Sequence, residues 1–469
     1  MFLNKSIREL SEGLKKKDFS STDIVEECYK NIEQHNSKLN ALITIVDKDK
    51  ALAQAKEKDT ARSPSNSYLH GLPFVIKDSY NTQGIRTTAA SHVLEDYLPP
   101  YNATVYQKLL DAGAILVGKC NMDAWGHGAT SENTDFGPVR NPWDTTRSAG
   151  GSSGGNATAL ASGMAVFGIG EDTGGSIRNP ASWCNITGLK VTYGRVSRYG
   201  CIAYASSFDT VGPMGKSVAD CASILEVIAG KDARDATSSP NLVPAYHNDL
   251  SKRVDSKVIG IPKELFARGL DVEIKAAVEH AALTLEQKGI RIAEISMPLM
   301  EYGLAVYYLI APSETSSNLA RYDGVRYGQG RKFFTRDTAR RIMIGTYALS
   351  AGYYDAYYKK AQQGRTLFIE EYKKALSRCD ALLMPVTPTP PTKLGETLID
   401  PVQNFLIDAY TVTQNPVGVP SLALPCGFTT KGLPIGMQMV GKMFDEETLF
   451  QIGYQYQQVT NWHTQKPKL

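Results

Sequence analysis

The chain has 469 residues, with 51 Lys+Arg against 48 Asp+Glu, a net charge of +3 and 42% hydrophobic residues. This near balance excludes an acidic or basic tail, wrapping of nucleic acid by bulk charge, and intrinsic disorder. No run approaches the roughly 18 apolar residues of a membrane span, and residues 1–17 lack a secretory apolar stretch and carry Glu9 and Glu12, so a cytoplasmic protein without membrane contact is expected, a mitochondrial or plastid address being the alternative.

The first 60 residues predict amphipathic helices. Ile7, Leu10 and Leu14 form one stripe, Ser20 with Asp23 forms a capping box, and Ile24, Cys28 and Ile32 follow at helical spacing. From residue 72, short apolar runs alternate with amphipathic segments: strands over 72–76, 114–117 and 165–169, with a helix over 103–112 between the first two. That alternation predicts an α/β fold with a large, mixed, mostly parallel central sheet covered by helices on both faces. Residues 230–256 are polar, contain Pro240 and Pro244, and read as a surface connection within one domain. The alternation then returns, with strands over 258–261, 290–295, 381–386, 422–425 and 435–440 and a helix over 272–287; the Pro-rich stretch 385–395 reads as a loop. The seven Cys are odd in number and lack CxxC spacing, which predicts reduced, mostly core thiols with neither a disulfide framework nor a thiolate zinc site.

Glycine is concentrated between residues 126 and 200, in AGGSSGGNATALASG (149–163) and GIGEDTGGSIRNPAS (168–182). Glycine permits close backbone approach, so such loops can aim several N–H groups at one anionic atom. A dinucleotide fingerprint starting at Gly168 needs glycine at position 173, which is Thr173, and a Walker A loop ending in Lys216-Ser217 needs glycine at 210, which is Thr210. Gly150 to Gly154 fits GxSxG, but the polar residues 141–149 before it cannot supply the strand that a nucleophile elbow requires. Without a His base, a buried lysine can serve, because desolvation favours its neutral form. Lys77 ends the apolar run GLPFVI and is the candidate.

Taken together, the lysine of GLPFVIKD, the GGSSGG block and the DTGGSIRNPA block resemble the amidase signature family in order and in spacing, with 75 residues from Lys77 to Ser152 and 24 from Ser152 to Ser176. The resemblance implies a single domain over 1–469, with 1–60 a helical segment packed on a 65–445 core. It also implies a Ser-Ser-Lys triad: Ser176 the nucleophile, Ser152 the bridging serine after a cis peptide, Lys77 the base. The oxyanion would face the backbone N–H groups of Thr173, Gly174, Gly175 and Ser176.

Further stretches, including SENTDFGPVRNPWD (131–144), GLKVTYGRVSRYGCIAYASSFDTVGPM (188–214) and ALSAGYYDAYYKKAQ (348–362), resemble the tRNA-dependent amidotransferase branch of that family. This implies glutamine as substrate, with Asp408 for its α-ammonium, Arg341 or the adjacent Arg340 for its α-carboxylate, and Tyr307 and Thr130 near its side chain. It implies B and C subunits as partners in a heterotrimer that serves misacylated Glu-tRNA(Gln). ATP and Mg²⁺ would belong to the B subunit, with no cofactor and no metal in this chain. A stand-alone amidase for small amides is the alternative. Three features depart from the family pattern: a short connection over 328–339, His127 in place of an apolar residue, and Glu171 before the DTGGS turn, which either adds charge beside that turn or pairs with Arg178.

Overall fold

A computed structural model describes residues 2–60, 67–266, 269–325, 329–399 and 401–469. Eleven strands form one sheet: β1 (Leu42–Ile45), β2 (Pro73–Lys77), β3 (Ile115–Cys120), β4 (Phe167–Asp172), β5 (Thr187–Lys190), β6 (Thr210–Gly215), β7 (Val258–Pro262), β8 (Arg291–Ile295), β9 (Ala381–Pro385), β10 (Ser421–Phe428) and β11 (Pro434–Gly441). Their spatial order is β1-β3-β2-β4-β6-β5-β10-β11-β9-β7-β8.

The expected large mixed sheet is therefore present, with a smaller parallel share than anticipated. β2 lies parallel to β3 and β4, and β7 parallel to β8 and β9, whereas the other neighbouring pairs, β1 with β3 and the whole middle from β4 to β9, are antiparallel. Two causes account for the difference. β10 and β11 are joined by a tight turn in which Thr429 N–H donates to the Leu433 carbonyl, and such a connection allows only antiparallel pairing. β5 and β6 carry glycines and Pro213, which conceal them in the sequence.

Side chains alternate across the sheet. Phe74 and Ile76 of β2 join one core, Val75 the other, and Leu116 of β3 is separated in the same way from Ile115 and Val117. Both faces are consequently apolar, and both are covered. The N-terminal helices Ile7–Lys16 and Ser21–Leu39 provide part of that cover through Ile7, Leu10, Ile24 and Cys28 on one core and Val25, Tyr29 and Ile32 on the other. The expected capping box forms, Ser20 N–H donating to Asp23 Oδ2 at 2.7 Å and Asp23 N–H to Ser20 Oγ at 3.1 Å. Among the described residues no helix is long and apolar enough to cross a membrane.

A third core gathers Tyr204, Phe208, Tyr307, Ile310, Tyr372 and Tyr410 around helix Gly303–Asn318. Helix Arg336–Ala348 packs against it at Gly345, where a Cβ would lie 1.9 Å from the Pro312 carbonyl oxygen. That glycine sets the helix separation and hence where Arg341 sits. Gly345→Ala should force the helices apart at a cost of about 1–3 kcal/mol, read as a lowered unfolding midpoint; an unchanged midpoint would show that the contact has room to yield.

Candidate active site

Lys77 closes β2 with only 1% of its surface exposed. Its Nζ donates to Ser152 Oγ at 2.7 Å and to the Glu171 carbonyl at 3.3 Å, and lies 3.6 Å from Glu171 Oε2. Ser152 is fully enclosed, follows a cis peptide from Gly151, and leads into helix Gly154–Ala161. The N–H of Ser153 donates to the Ser176 carbonyl at 3.0 Å, so the two glycine-rich blocks are tied together. Among the described residues the Ser176 hydroxyl forms no hydrogen bond, which leaves it the open member of the three.

Close packing explains the GGSSGG block. A Cβ on Gly151 would lie 2.0 Å from Asp123 Oδ2, and one on Gly155 2.3 Å from the Asn121 carbonyl oxygen. Asp123 accepts from the N–H groups of Ser131 at 2.8 Å and Asn133 at 3.1 Å, and burial pushes its carboxyl up to about 7. Ser131 Oγ in turn accepts from Gly154 N–H at 3.1 Å. The corner holding Ser152 thus rests on residues 123–133.

Beyond β4, the 173–176 turn is organised by a buried ion pair. Asp172 Oδ1 and Oδ2 each lie 3.0 Å from a guanidinium nitrogen of Arg178, and both side chains are fully buried. Asp172 also accepts from Gly175 N–H at 2.8 Å and Ile177 N–H at 3.1 Å. Burial alone would push this carboxyl up, but Arg178 and the hydrogen bonds outweigh it and hold Asp172 well below the usual carboxylate range. One expected oxyanion donor is thereby corrected: the Gly175 N–H is committed to Asp172. The N–H groups of Gly174 and Ser176 donate to no acceptor among the described residues. Thr173 Oγ1 donates to Asp209 Oδ1 at 2.7 Å, and burial with the neighbouring Glu171 pushes Asp209 up to about 8.

Glu171 and Asp172 are consecutive in a strand and point to opposite faces. Asp172, rather than Glu171, therefore takes Arg178. Glu171 faces Lys77, and its Oε2 accepts from Ser79 Oγ at 3.0 Å and its Oε1 from Cys201 Sγ at 3.2 Å. All seven cysteines are free and six are buried; Cys201, the partly exposed one, contacts the same Glu171 carboxylate as Lys77, which the sequence did not indicate.

Of the four residues expected around a substrate, Tyr307 lies against this turn and Thr130 against Gly151 of the other glycine-rich block. A Cβ on Gly174 would sit 2.5 Å from Tyr307 Oη, so the tyrosine closes directly over the turn. Arg341 is buried, donates from Nη1 to Tyr204 Oη at 2.9 Å and from Nε to Asp337 at 3.0 Å, and lies over the ring of Tyr308 at 5.3 Å. Arg340 pairs with Asp337 at 2.6 Å on the outer side with its side chain 32% exposed, which favours Arg341 as the inward cation. Asp408, 8% exposed, accepts from Tyr308 Oη at 2.7 Å. Thr130 is buried, and its carbonyl accepts from Ser148 Oγ at 2.7 Å. His127 bridges two helices, one ring nitrogen 3.1 Å from Thr338 Oγ1 and the other 3.2 Å from Thr315 Oγ1, which explains a polar residue at a buried position.

The sequence matches the family described as Amidase over residues 23–450. The chain belongs to the amidase family. It is 46% identical to the A subunit of the glutamyl-tRNA(Gln) amidotransferase of Sulfurihydrogenibium sp. (strain YO3AOP1), with 99% of each chain covered, and 46% identical to that of Thermodesulfovibrio yellowstonii, with 100% of each covered. The crystal structure of the A subunit of the same enzyme from Thermotoga maritima matches with a TM-score of 0.83 at 36% identity over 97% of this chain and 94% of that one. The native peptide amidase from Stenotrophomonas maltophilia matches with a TM-score of 0.83 at 27% identity over 98% of each.

Several residues of this amidase site escaped the sequence reading. Asp123 and Tyr308 lie outside the quoted motifs, and Ser131 opens SENTDFGPVRNPWD without a role assigned to it; Asp172 and Arg178 lay within DTGGSIR and were legible only as two opposite charges six residues apart. Among the described residues no group of three or more His, Cys, Asp or Glu is placed to hold a metal. Asp172→Asn would leave the buried Arg178 charge without its carboxylate and should cost about 3–5 kcal/mol of stability. Because Asp172 is held below its unfolded value, its contribution is present above about pH 3.9 and lost as pH falls towards the folded value. Acid unfolding of the variant should accordingly be less steep than that of the wild type; equal steepness would assign the acid transition to other groups.

Proposed function

We propose that this chain is the glutaminase subunit of a tRNA-dependent amidotransferase, working as one domain that hydrolyses glutamine and supplies ammonia for conversion of Glu-tRNA(Gln) to Gln-tRNA(Gln). The reading rests on one observation above the others: the buried 2.7 Å hydrogen bond between Lys77 Nζ and Ser152 Oγ beside the open Ser176 hydroxyl. The names of the full-length relatives give the branch.

In this reading Lys77 Nζ accepts the Ser152 proton while Ser152 Oγ accepts that of Ser176, whose oxygen attacks the side-chain amide carbonyl. The oxyanion develops against the N–H groups of Thr173, Gly174 and Ser176, with Gly175 shaping the turn; each well-aimed donor contributes about 3–4 kcal/mol. The proton returns along the same path to the leaving ammonia, and water hydrolyses the acyl-enzyme. Glutamine carries both an ammonium and a carboxylate, and Asp408 at the hydroxyl and Arg341 over the ring of one tyrosine supply the opposite charges. Tyr307 and Thr130 line the amide end. B and C subunits complete a heterotrimer, with ATP and Mg²⁺ handled by B, in the cytoplasm. The likeness to a peptide amidase supports a second reading, a stand-alone amidase.

Ser176→Ala should abolish glutamine hydrolysis while leaving the chain folded, and Lys77→Arg, which cannot give up its proton, should be as inactive as Lys77→Ala. An active arginine variant or an acyl adduct on Ser152 would overturn the proton path. Asp408→Asn and Arg341→Ala should each lower kcat/KM for glutamine by about 30-fold or more, equivalent to ~2 kcal/mol, and leave an uncharged amide nearly unaffected. Equal losses on both substrates would favour the stand-alone reading, as would purification of the chain without B and C subunits.

A further inference from the structure

Asp408 is held by a residue that neither the motifs nor the proposed chemistry uses. The Tyr308 ring packs at 4.3 Å from Phe405 and perpendicular to Tyr307 at 4.9 Å, so its position is fixed on two sides. One face carries the Arg341 guanidinium at 5.3 Å, and its hydroxyl donates to Asp408 Oδ2 at 2.7 Å. Tyr308 therefore touches both opposite charges, one over its ring and one at its hydroxyl. The backbone around Asp408 is tied to the Ser176 turn as well: Thr411 Oγ1 donates to the Gly174 carbonyl at 2.6 Å and to the Asp408 carbonyl at 3.1 Å.

We propose that Tyr308 is a positioning residue that keeps the Asp408 carboxylate ionised and aimed, and thereby sets selectivity for a zwitterionic amino-acid amide over an uncharged amide. This rests on the glutamine reading given above. A carboxylate in this place meets opposing influences. Burial and nearby Asp172 push Asp408 up, the Tyr308 hydroxyl, Arg341 and Arg178 pull it down in part, and the balance leaves it at about 7. Tyr204 and Tyr307 also face it, both with their phenols pushed up by burial. Of these groups, Tyr308 hydrogen-bonds the carboxylate through its side chain, and a donor to an ionised acceptor favours the ionised form. Protonated Asp408 cannot pair with an ammonium, so glutamine turnover falls as pH drops through its titration. Loss of the hydroxyl moves that fall to higher pH.

Tyr308→Phe tests this, because the ring under Arg341 stays and only the donor goes. With the full-length chain, kcat/KM for glutamine and for an uncharged amide would be measured from acid to alkaline pH and expressed as the ratio of variant to wild type, in which the substrate's own ionisation cancels. The glutamine ratio should fall about tenfold at mildly acidic pH, the loss of one hydrogen bond to a charged group. The loss should appear in KM rather than kcat, and the ratio should recover towards one at alkaline pH. The uncharged amide should show a ratio near one throughout. A glutamine ratio that is flat across pH, or equal losses on both substrates, would mean that Tyr308 only supports the fold, and the proposal would fall while wild-type glutaminase activity stood. If the wild type hydrolyses the uncharged amide and not glutamine, the substrate reading and this inference fall together.

Discussion

The Asp172–Arg178 pair is the interaction on which the arrangement depends. A buried ion pair contributes little net stability by itself, since desolvation offsets most of the attraction, but removing one partner leaves a charge with no water and no counter-charge. Here the pair is fully hydrogen-bonded. Arg178 also donates to Gln414, Asn415 and Gln438 side chains at 2.8–3.0 Å and to the Thr411 carbonyl at 2.9 Å. One guanidinium therefore joins the end of β4, the helix after the Ser176 turn, β11 and the segment following Asp408. The turn bearing Ser176 and the turn bearing Asp408 are positioned by the same side chain.

Strand alternation then divides the electrostatics into two compartments. On one face of β4 Asp172 meets a permanent cation and is held ionised. On the other, Glu171 faces a lysine, a serine and a thiol, with Asp209 nearby and pushed up. The Asp172–Arg178 pair and the Lys77–Glu171 contact are thus kept apart by the thickness of one strand.

Much of this was legible in the sequence. The two glycine-serine blocks, Lys77 at a strand end and the apolar runs of β2, β3, β4, β7 and β9 appear where expected, because each depends on local composition or a fixed period. β6 was hidden, since Pro213 and two glycines contradict every strand signal; Gly212 is there because a Cβ would lie 2.1 Å from the Leu189 carbonyl oxygen, a neighbour that only the fold reveals. The partner of Glu171 was likewise open to two readings until the strand's direction fixed which face it occupied. Tyr308 is one tyrosine in a run of two, and the role proposed for it follows from a ring that packs against Phe405, with Arg341 over both rings, residues distant in the chain.

The route taken by the sheet has a consequence for how the protein is made. β10 and β11, at residues 421–441, insert between β5 and β9 in the middle of the sheet. Arg178 leaves the ribosome early, yet its acceptors at 411, 414, 415 and 438 follow more than 230 residues later. Until they arrive, the guanidinium has Asp172 but none of its other acceptors, and Asp408 lacks its place. Contacts of such long sequence separation form last, after the entropy of closing the intervening chain has been met. Emerging or truncated chains thus contain every glycine-serine motif without the site, and competence arrives only when the C-terminal strands do.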